Sequence, residues 1–557
     1  MVKSLNTSVI ILGGSIVGLS NALFLAQRGV SCILIERHPG SSPHPRAMGW
    51  THRTMELFRT VDGLEAELKA FPSRAAGKPR RVMTRTLNGK WDEESHWTTT
   101  NNEQGAGSKG GPAGKGPTPT DFSSATPVEA LGIAQDKLEP ILRAKAISLG
   151  ADLRLGYTMT DWSLNDDDSN HSVSLTATNS TTGETLRVMS SYLIACDGAN
   201  SRIRADLGIG TSGVGHLRTM YSTLFRCPSI EHQLASGVSQ WSIKNDDLEA
   251  FLVTYQEGRW ALMASNPAHD SPNDDERKTL IRQAIGDGEI DIEILAHGTW
   301  ALRGAIADAF ADKTNRVFLA GDAAHALPPN RGGYAANTGV ADAHNLAWKL
   351  AAVLAGRADT TLLRTYEAER RPVALVRHDQ IFARADYREY VVGSAWLEER
   401  RRSGKGDIEV LGDVAMELGQ IYRSGAVMAG EDEGGELALA KTPAEWRGQP
   451  GTRAPHIWLK KEGEVVSSLD LLCGGWVLLS KDGSWKERLG GVKGVKYVHV
   501  GHDVEEADQG AFEGAFGIGK TGAVLIRPDG YIGARWKEST SLGDVKQVHK
   551  LVRYAFS

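Results

Sequence analysis

Ser8-Val-Ile-Ile-Leu12 runs straight into Gly13-Gly14-Ser15-Ile16-Val17-Gly18, and that junction constrains the chain more than any other stretch. The apolar run reads as a short buried strand. A helical pattern follows from Leu19 to Arg28, Gly29 ends it, and a second strand, Ser31 to Ile35, closes on Glu36. Such a β-turn-α-β unit holds the ADP half of a dinucleotide. Gly13 permits the tight turn, and Gly18 lets the helix approach the strand. The helix N-terminus offers unpaired N–H groups to a pyrophosphate. Glu36, 23 positions after Gly13, can accept hydrogen bonds from ribose hydroxyls. Ser15 stands where G-x-G-x-x-G has its middle glycine, a small side chain tolerated at some loss of closeness.

No residue from Ser4 to Gln27 is charged, a pattern shared with signals and membrane spans. Three glycines, Asn6 and Asn21 interrupt it, whereas a span needs about 20 predominantly apolar residues and a signal's apolar run covers about 7–15. Neither targeting nor a membrane span is expected. At 557 residues there is room for about three domains. A net charge of −5 and a pI near 6.4 leave no basic footprint for nucleic acid. Cys32, Cys196, Cys227 and Cys473 stand far apart with no C-x-x-C. That spacing points to a reducing, cytoplasmic setting, without zinc, another metal or a dithiol centre.

Along the chain, Arg37 to Arg46 is a proline-crowded loop, and Trp50-Thr51 opens a helix carrying Met55, Leu57 and Phe58. Gly105 to Pro119 has the composition of a solvated surface loop. Asp136-Lys-Leu-Glu139 resembles a capping box opening a helix that stops at Gly150. A strand, Asp152 to Leu155, follows, then an antiparallel stretch over 157–195 divided at Asp166–Asn170. Residues 211–304 read mostly as strands, with a helix around Asp274 to Ala284. Their aromatics Tyr221, Phe225, Trp241, Phe251, Tyr255 and Trp260 suit either the wall of an apolar ligand site or ordinary core. Arg316 to Asp322 begins as a buried strand, and a helix apolar almost all round runs from about Asn337 to Leu354. Helical patterns continue to about Arg402, and acidic Gly430–Gly435 marks a linker. From Gly451 a compact α/β unit restarts, with strands at Trp476–Leu479, Tyr497–Val500 and Ala523–Ile526. A hairpin signal follows at Arg527-Pro-Asp-Gly530, then a last helix with Val545, Val548, Val552 and Phe556 on one face.

Two later stretches join the first motif: Cys196-Asp197-Gly198-Ala-Asn-Ser201-Arg202-Ile-Arg204, and Gly321-Asp322-Ala-Ala-His325 running on through Pro328-Pro329 and Gly332-Gly333 to Asn337-Thr-Gly339. Added to these are Pro45-Arg46-Ala47, Arg53-Thr54, Gln135, the Asp342 to Lys349 run, Arg370-Arg-Pro372 and Gly451 to His456. With them the whole chain resembles the class A flavoprotein aromatic hydroxylases, the group of para-hydroxybenzoate hydroxylase and phenol hydroxylase. It looks closest to the branch acting on aromatic polyketides and similar polycyclic phenols.

The resemblance implies an α/β fold with a Rossmann-like FAD-binding domain (1–70, 127–210 and 305–400) and an inserted antiparallel-sheet substrate domain (71–126 and 211–304). A linker (401–450) and a thioredoxin-like domain (451–557) complete it. It implies a monooxygenase in which NADPH or NADH transiently reduces FAD. O2 then adds at the flavin C4a, and the hydroperoxide hydroxylates a phenolic or polyketide-derived small molecule. Gly13, Ser15, Gly18, Glu36, Arg37, Arg46, Gln135, Asp197, Asp322, Pro329, Gly332, Gly333, Ala335, Ala336 and Asn337 are the implied FAD contacts. Physically, Asp322 can accept hydrogen bonds from ribityl hydroxyls, and the loop after Pro329 brings backbone near a flat ring. The helix N-terminus that follows favours negative charge at the flavin N1–C2=O edge by roughly 0.3–1 kcal/mol, up to ~2 when partly buried.

The chain departs from the family at several points. Ala335 stands where the family often has a glycine, the loop runs about one residue long, and Tyr334 is expected beside the flavin ring. Met48 stands where phenol hydroxylases usually carry aspartate, so the group that deprotonates the substrate must be found elsewhere. Tyr221, His52 and Arg331 are the candidates; His325 is read as structural. The C-terminal unit lacks a cysteine pair, so packing or homodimer contact is its expected role. Baeyer–Villiger or epoxidising chemistry, and a non-catalytic nucleotide-binding protein, remain as alternative readings.

Overall fold

In the computed structural model the run ending at Leu12 is the inner part of a longer strand, Val2–Leu12, exposed at its start and buried from Val9 onward. The structure describes residues 2–44, 46–71, 80–93, 121–165, 173–265, 272–329, 333–404, 408–428, 439–472, 474–490, 492–538 and 543–553. The readings at Gly105–Pro119, Asp166–Asn170, Gly430–Gly435, Cys473 and Phe556 lie outside them.

Val2–Leu12 pairs in parallel with Cys32–Glu36 on one side and Thr185–Ala195 on the other. The sheet continues outward through Asp152–Leu155 at one end and through Val173–Asn179 and Tyr157–Leu164 at the other. One edge of Thr185–Ala195 is used twice. Residues 185–190 bond antiparallel to 173–178, and 193–195 bond in parallel to Val317–Leu319. That shared edge sets the second motif beside the third: Ala320 N–H donates to Ala195 O at 3.0 Å. Helices Ile16–Gln27 and Tyr334–Leu354, both buried along most of their length, close the core over this sheet.

An eight-stranded sheet stands beside the first, in the order His325–Ala326, Glu293–Ala307, Thr211–Arg226, Arg259–Ala264, Glu249–Gln256, Val238–Lys244, Arg80–Thr84, Trp91–Glu93. The third motif therefore leaves one sheet at Leu319 and enters the other at His325. Helix Asp274–Ile285, started by a capping box between Asn273 and Glu276, covers one face of the second sheet. Phe225, Trp241 and Trp260 are buried there with Ile281 and Ile285, so these three aromatics are ordinary core. Phe251 and Tyr255 lie in a separate cluster with Met48 and Ala134 of the first unit.

The C-terminal unit has strands in the order Val495–His499, Trp476–Ser480, Ala523–Ile526, Ile532–Trp536; the first pair is parallel and the others antiparallel. This order is consistent with a thioredoxin-like layout. The turn Arg527-Pro-Asp-Gly530 also docks the unit. Arg527 donates to both oxygens of Glu369 (2.6 and 2.8 Å) and to Asp529 (2.6 Å), while Lys349 Nζ reaches Glu369 at 2.8 Å, all essentially unexposed. Burial raises the Glu369 pKa, but Arg527 and Lys349 outweigh it and hold the carboxyl well below the usual range. Glu56, paired with Arg453 and Arg53, makes a second such clamp.

Candidate active site

The three motifs meet at the N-terminus of helix Ile16–Gln27. Gly13 has φ +106°, and a Cβ there would collide with Cys196 O of the second motif. A Cβ on Gly339 would collide with Val17 of the first motif and sit 3.1 Å from Gly321 Cα of the third. Only glycine lets these backbones approach so closely. Glu36 receives the Gly14 N–H at 2.5 Å and the His38 N–H at 2.8 Å, which fixes its carboxylate at the mouth of the turn. Arg37 is beside it, with Nε on His38 Nε2 at 3.1 Å.

Ser15 is more than a tolerated substitute. Its hydroxyl donates to Glu139 Oε1 at 2.8 Å and accepts from Gln135 Nε2 at 2.9 Å, and Gln135 Nε2 also reaches Glu139 Oε1 at 2.8 Å. The expected capping box from Asp136 to Glu139 is absent, since Asp136 already lies inside the helix. The helix starts at Gln135 with Ala134 as its N-cap, whose methyl side chain cannot accept a cap bond, and Glu139 faces the glycine loop. The amide oxygen of Gln135 accepts from the Arg46 and Ala47 N–H groups at 3.4 and 3.3 Å, so this side chain ties the loop bearing Arg46 to the first motif.

Asp197 and Asp322 face the same cleft from the second and third motifs. Asp197 Oδ2 accepts the Arg202 N–H at 2.9 Å and caps the short helix there, while Oδ1 is buried without a hydrogen-bond partner among the described residues. No described residue donates a hydrogen bond to Asp322. Burial raises its pKa, against the fields of His325, Arg46 and Arg303. Two carboxylates with unused acceptor capacity, lining a cradle of close-packed glycines, fit a ligand that brings hydroxyl donors and a pyrophosphate. FAD has those groups.

At the other end of the cleft, Gly333 (φ +59°) is the N-cap of helix Tyr334–Leu354. Asn337 locks this terminus: its Oδ1 accepts from Thr51 N–H at 3.0 Å and Thr54 Oγ1 at 2.5 Å, and its Nδ2 donates to Gly49 O and Gly333 O. Ala335 and Ala336 are half-buried against the main core. Tyr387 Oη donates to Pro329 O, while Arg331 and Gly332 lie outside the described residues. Tyr334 does not lie open beside a flavin ring: it is 1% exposed, beneath the Arg377 guanidinium at 4.5 Å.

Strand alternation decides which residues of the second sheet face this cleft. Leu224, Ala261, Met263, Val253, Phe251, Leu295 and Ala296 cluster toward Met48 and Ala134, and several of them are only half-buried. Ser222 shares their face, opposite Met263 in the register. Its Oγ lies 2.7 Å from His44 Nε2, a contact between residues 178 positions apart that the sequence does not advertise. Tyr221 falls on the other face with Thr223 and Phe225, toward helix Asp274–Ile285. This corrects its selection as a cleft residue. His52 bonds Glu417 Oε2 through Nδ1 at 3.1 Å and stacks on Phe122 with centroids 3.8 Å apart; burial raises the Glu417 pKa. His325 is wholly buried, with Nε2 on Asp342 Oδ2 at 2.6 Å. Although burial pushes Asp342 upward, His325 and Arg370 hold it below the usual carboxylate range. His325 thus braces the third motif against the helix rather than facing the cleft.

The family described as "FAD binding domain" matches residues 6–379, and that described as "Aromatic-ring hydroxylase, C-terminal" matches residues 447–556. A 4-methyl-5-nitrocatechol 5-monooxygenase of Burkholderia sp is 37% identical over 551 residues, covering 95% of this chain and 94% of that protein. A tetracenomycin B2 monooxygenase-dioxygenase of Streptomyces olivaceus is 34% identical, with 97% and 96% covered. The crystal structure of aklavinone-11 hydroxylase with FAD and aklavinone matches with a TM-score of 0.81 at 28% identity, over 98% of each chain. The chain belongs to the FAD-dependent aromatic-ring hydroxylases and is a flavin monooxygenase, with FAD as cofactor and NAD(P)H as the family's reductant.

Proposed function

We propose that the enzyme hydroxylates an electron-rich phenol of polycyclic, polyketide-like size, bound between the FAD cleft and the half-buried apolar face of the second sheet. The observation that carries this is the width of that face. Its half-buried members Leu295, Ala296, Met263 and Phe251 lie between strands Glu293–Ala307 and Glu249–Gln256, the outer two of four adjacent strands, roughly 14 Å across at ~4.8 Å per strand. That is wider than a single ring requires. Relatives acting on tetracenomycin and aklavinone support the size, and the nitrocatechol relative supports the phenolic chemistry.

FAD supplies the activation of oxygen and its transfer. The contacts named above, from Gly13 to Asn337, would hold it, with Asp322 accepting hydrogen bonds from its ribityl hydroxyls. The chain's own task at the substrate is to hold the phenol's proton. His44, whose Nε2 is held by Ser222, is an imidazole fixed at the edge of the apolar face and the first candidate for that task. Ser222, 2% exposed, acts as its positioning residue. His52, oriented by Glu417, is the second candidate. The apolar residues keep water from the reacting centre.

The division at 1–70, 127–210 and 305–400 for FAD, 71–126 and 211–304 for substrate, 401–450 as linker and 451–557 as terminal domain belongs to the same proposal. It is supported by the two sheets, whose strands follow it except for His325–Ala326 and the end of Glu293–Ala307. So do a homodimer, the absence of nucleic-acid partners, and a cytoplasmic setting. The last is supported by the free thiols of Cys32, Cys196 and Cys227. No helix among the described residues is long and apolar enough to cross a membrane.

The test is NAD(P)H oxidation against simple and polycyclic phenols under labelled O2, with mass spectra of the products. One labelled oxygen added to a polycyclic phenol is expected, with kcat falling and its pH profile moving in His44→Gln. An ester or lactone product, or stimulation by simple catechols alone, would overturn the reading.

A further inference from the structure

Met48 stands at the seam between the cofactor cleft and the apolar face of the second sheet. Its chain neighbours on both sides are held by residues assigned above to FAD. Ala47 O accepts the Gln135 N–H at 2.8 Å, and Ala47 N–H donates to Gln135 Oε1 at 3.3 Å. Gly49 O accepts from Asn337 Nδ2 at 3.0 Å, and a Cβ on Gly333 would come within 3.4 Å of that oxygen. The Met48 backbone is thus pinned between two fixed points of the flavin frame. Its side chain is half-buried and packs against the cluster of Ala134, Leu224, Val253, Tyr255 and Ala261. Other thioethers stand elsewhere. Met55 and Met416 are 1% exposed in the main core. Met83 is 49% exposed on Arg80–Thr84, two strands beyond Glu249–Gln256.

A site that handles activated oxygen must contain it when no phenol is present to accept it. In such idle turnover NAD(P)H, a proton and O2 give NAD(P)+ and hydrogen peroxide, which forms inside the cleft. A thioether reacts with it directly. The sulfur lone pair attacks one peroxide oxygen, an S–O bond forms and the O–O bond breaks. Sulfur is oxidised by two electrons, and the other oxygen leaves as water. Oxidation turns an apolar, flexible side chain into a polar one, and sulfoxide reductases reverse it.

We propose that Met48 is a self-oxidation site: peroxide formed in the cleft during turnover without substrate converts its thioether to the sulfoxide. The new S=O group lies on the apolar face and blocks productive binding until it is reduced. This rests on the substrate face proposed above.

The test uses the holoenzyme with NAD(P)H, labelled O2 and catalase, without a phenol. Trypsin releases Met48 in Ala47–Arg53 and Met83 in Val82–Arg85, each without a second methionine, and fragment spectra place the oxygen. Met48 should gain one labelled oxygen ahead of Met83 despite the catalase, and a saturating polycyclic phenol should suppress the labelling. Hydroxylating activity should fall in proportion to the label and return with methionine sulfoxide reductase. Met48→Leu, close in volume and without sulfur, should keep its own initial activity through the same treatment. An unlabelled Met48, Met83 labelled first, labelling abolished by catalase, or an equal loss of activity in M48L overturns the inference. The wild-type spectra decide it even if M48L does not fold. A fresh sample that hydroxylates the polycyclic phenol while Met48 stays unlabelled sinks this inference alone; one that does not hydroxylate it sinks the reading of the substrate face.

Discussion

Asp322 is half-buried and Glu369 fully buried; no described residue donates a hydrogen bond to the first, while the second accepts five, from Arg527, Lys349, Asn345 and Ser424. Burial dominates the Asp322 carboxyl and raises its pKa; the cations around Glu369 overcome the same burial and lower it. The difference separates two uses of an expensive group. At the domain junction a carboxylate is spent on holding protein to protein. In the cleft it is left under-bonded, which costs stability until a ligand donates to it.

Four experiments bear on that contrast. Glu369→Gln should give the largest effect, a destabilisation of about 3–5 kcal/mol, because Arg527 and Lys349 stay buried without their counter-charge. Urea denaturation checks it, and a loss under 1 kcal/mol would break the contrast. Acid should act next. Glu56 is raised by burial but drawn down from 4.5 to about 2 by Arg453 and Arg53. A depressed carboxylate stabilises fully above its unfolded pKa. That contribution, about 3 kcal/mol, should therefore be lost as pH falls from about 4.5 toward 2. Asp322 has the opposite sign: with its pKa raised, its penalty fades as pH falls in FAD-free protein. Denaturation curves with and without FAD between pH 3 and 6 should diverge accordingly.

Asp322→Asn should weaken FAD binding by roughly 10- to 100-fold, the worth of a charge-assisted hydrogen bond, without destabilising the FAD-free protein. Flavin retention on gel filtration and a denaturation curve measure the two halves, and wild-type retention would contradict the role given to Asp322. Ser15→Gly should be the mildest, costing about 1 kcal/mol by leaving Glu139 with one donor fewer. A gain in stability would mean that the glycine fingerprint alone governs this position.

The opening β-turn-α-β and the Tyr334–Leu354 helix were legible because each is written in contiguous residues with a clear period. The failures share another physical origin. Asp136 and Glu139 satisfy a local capping pattern, but the helix starts earlier, at Gln135, and their carboxylates go to distant partners, Arg259 and Ser15. Tyr221 could not be assigned to a face because the long strand carrying it pairs with Glu293–Ala307 through several irregularities, each of which resets the alternation. His44 and Ser222 meet only when the two sheets are brought together. Tyr334 looked like a ring neighbour because its position in the loop is visible in sequence, while the guanidinium covering it comes from the following helix.

The doubly used edge of Thr185–Ala195 also fixes a timetable. Residues 193–195 can complete their pairing only with Val317–Leu319, and 324 positions separate Gly13 from Asn337. At ~5–20 residues per second, a ribosome takes roughly 16–65 s to cover that distance. For the part of that interval between residues 195 and 317, the nascent chain carries a buried-type strand with an open edge, the kind of surface that recruits chaperones or aggregates. Cofactor loading is thus a late event in the life of the chain, and no short contiguous fragment can rehearse it.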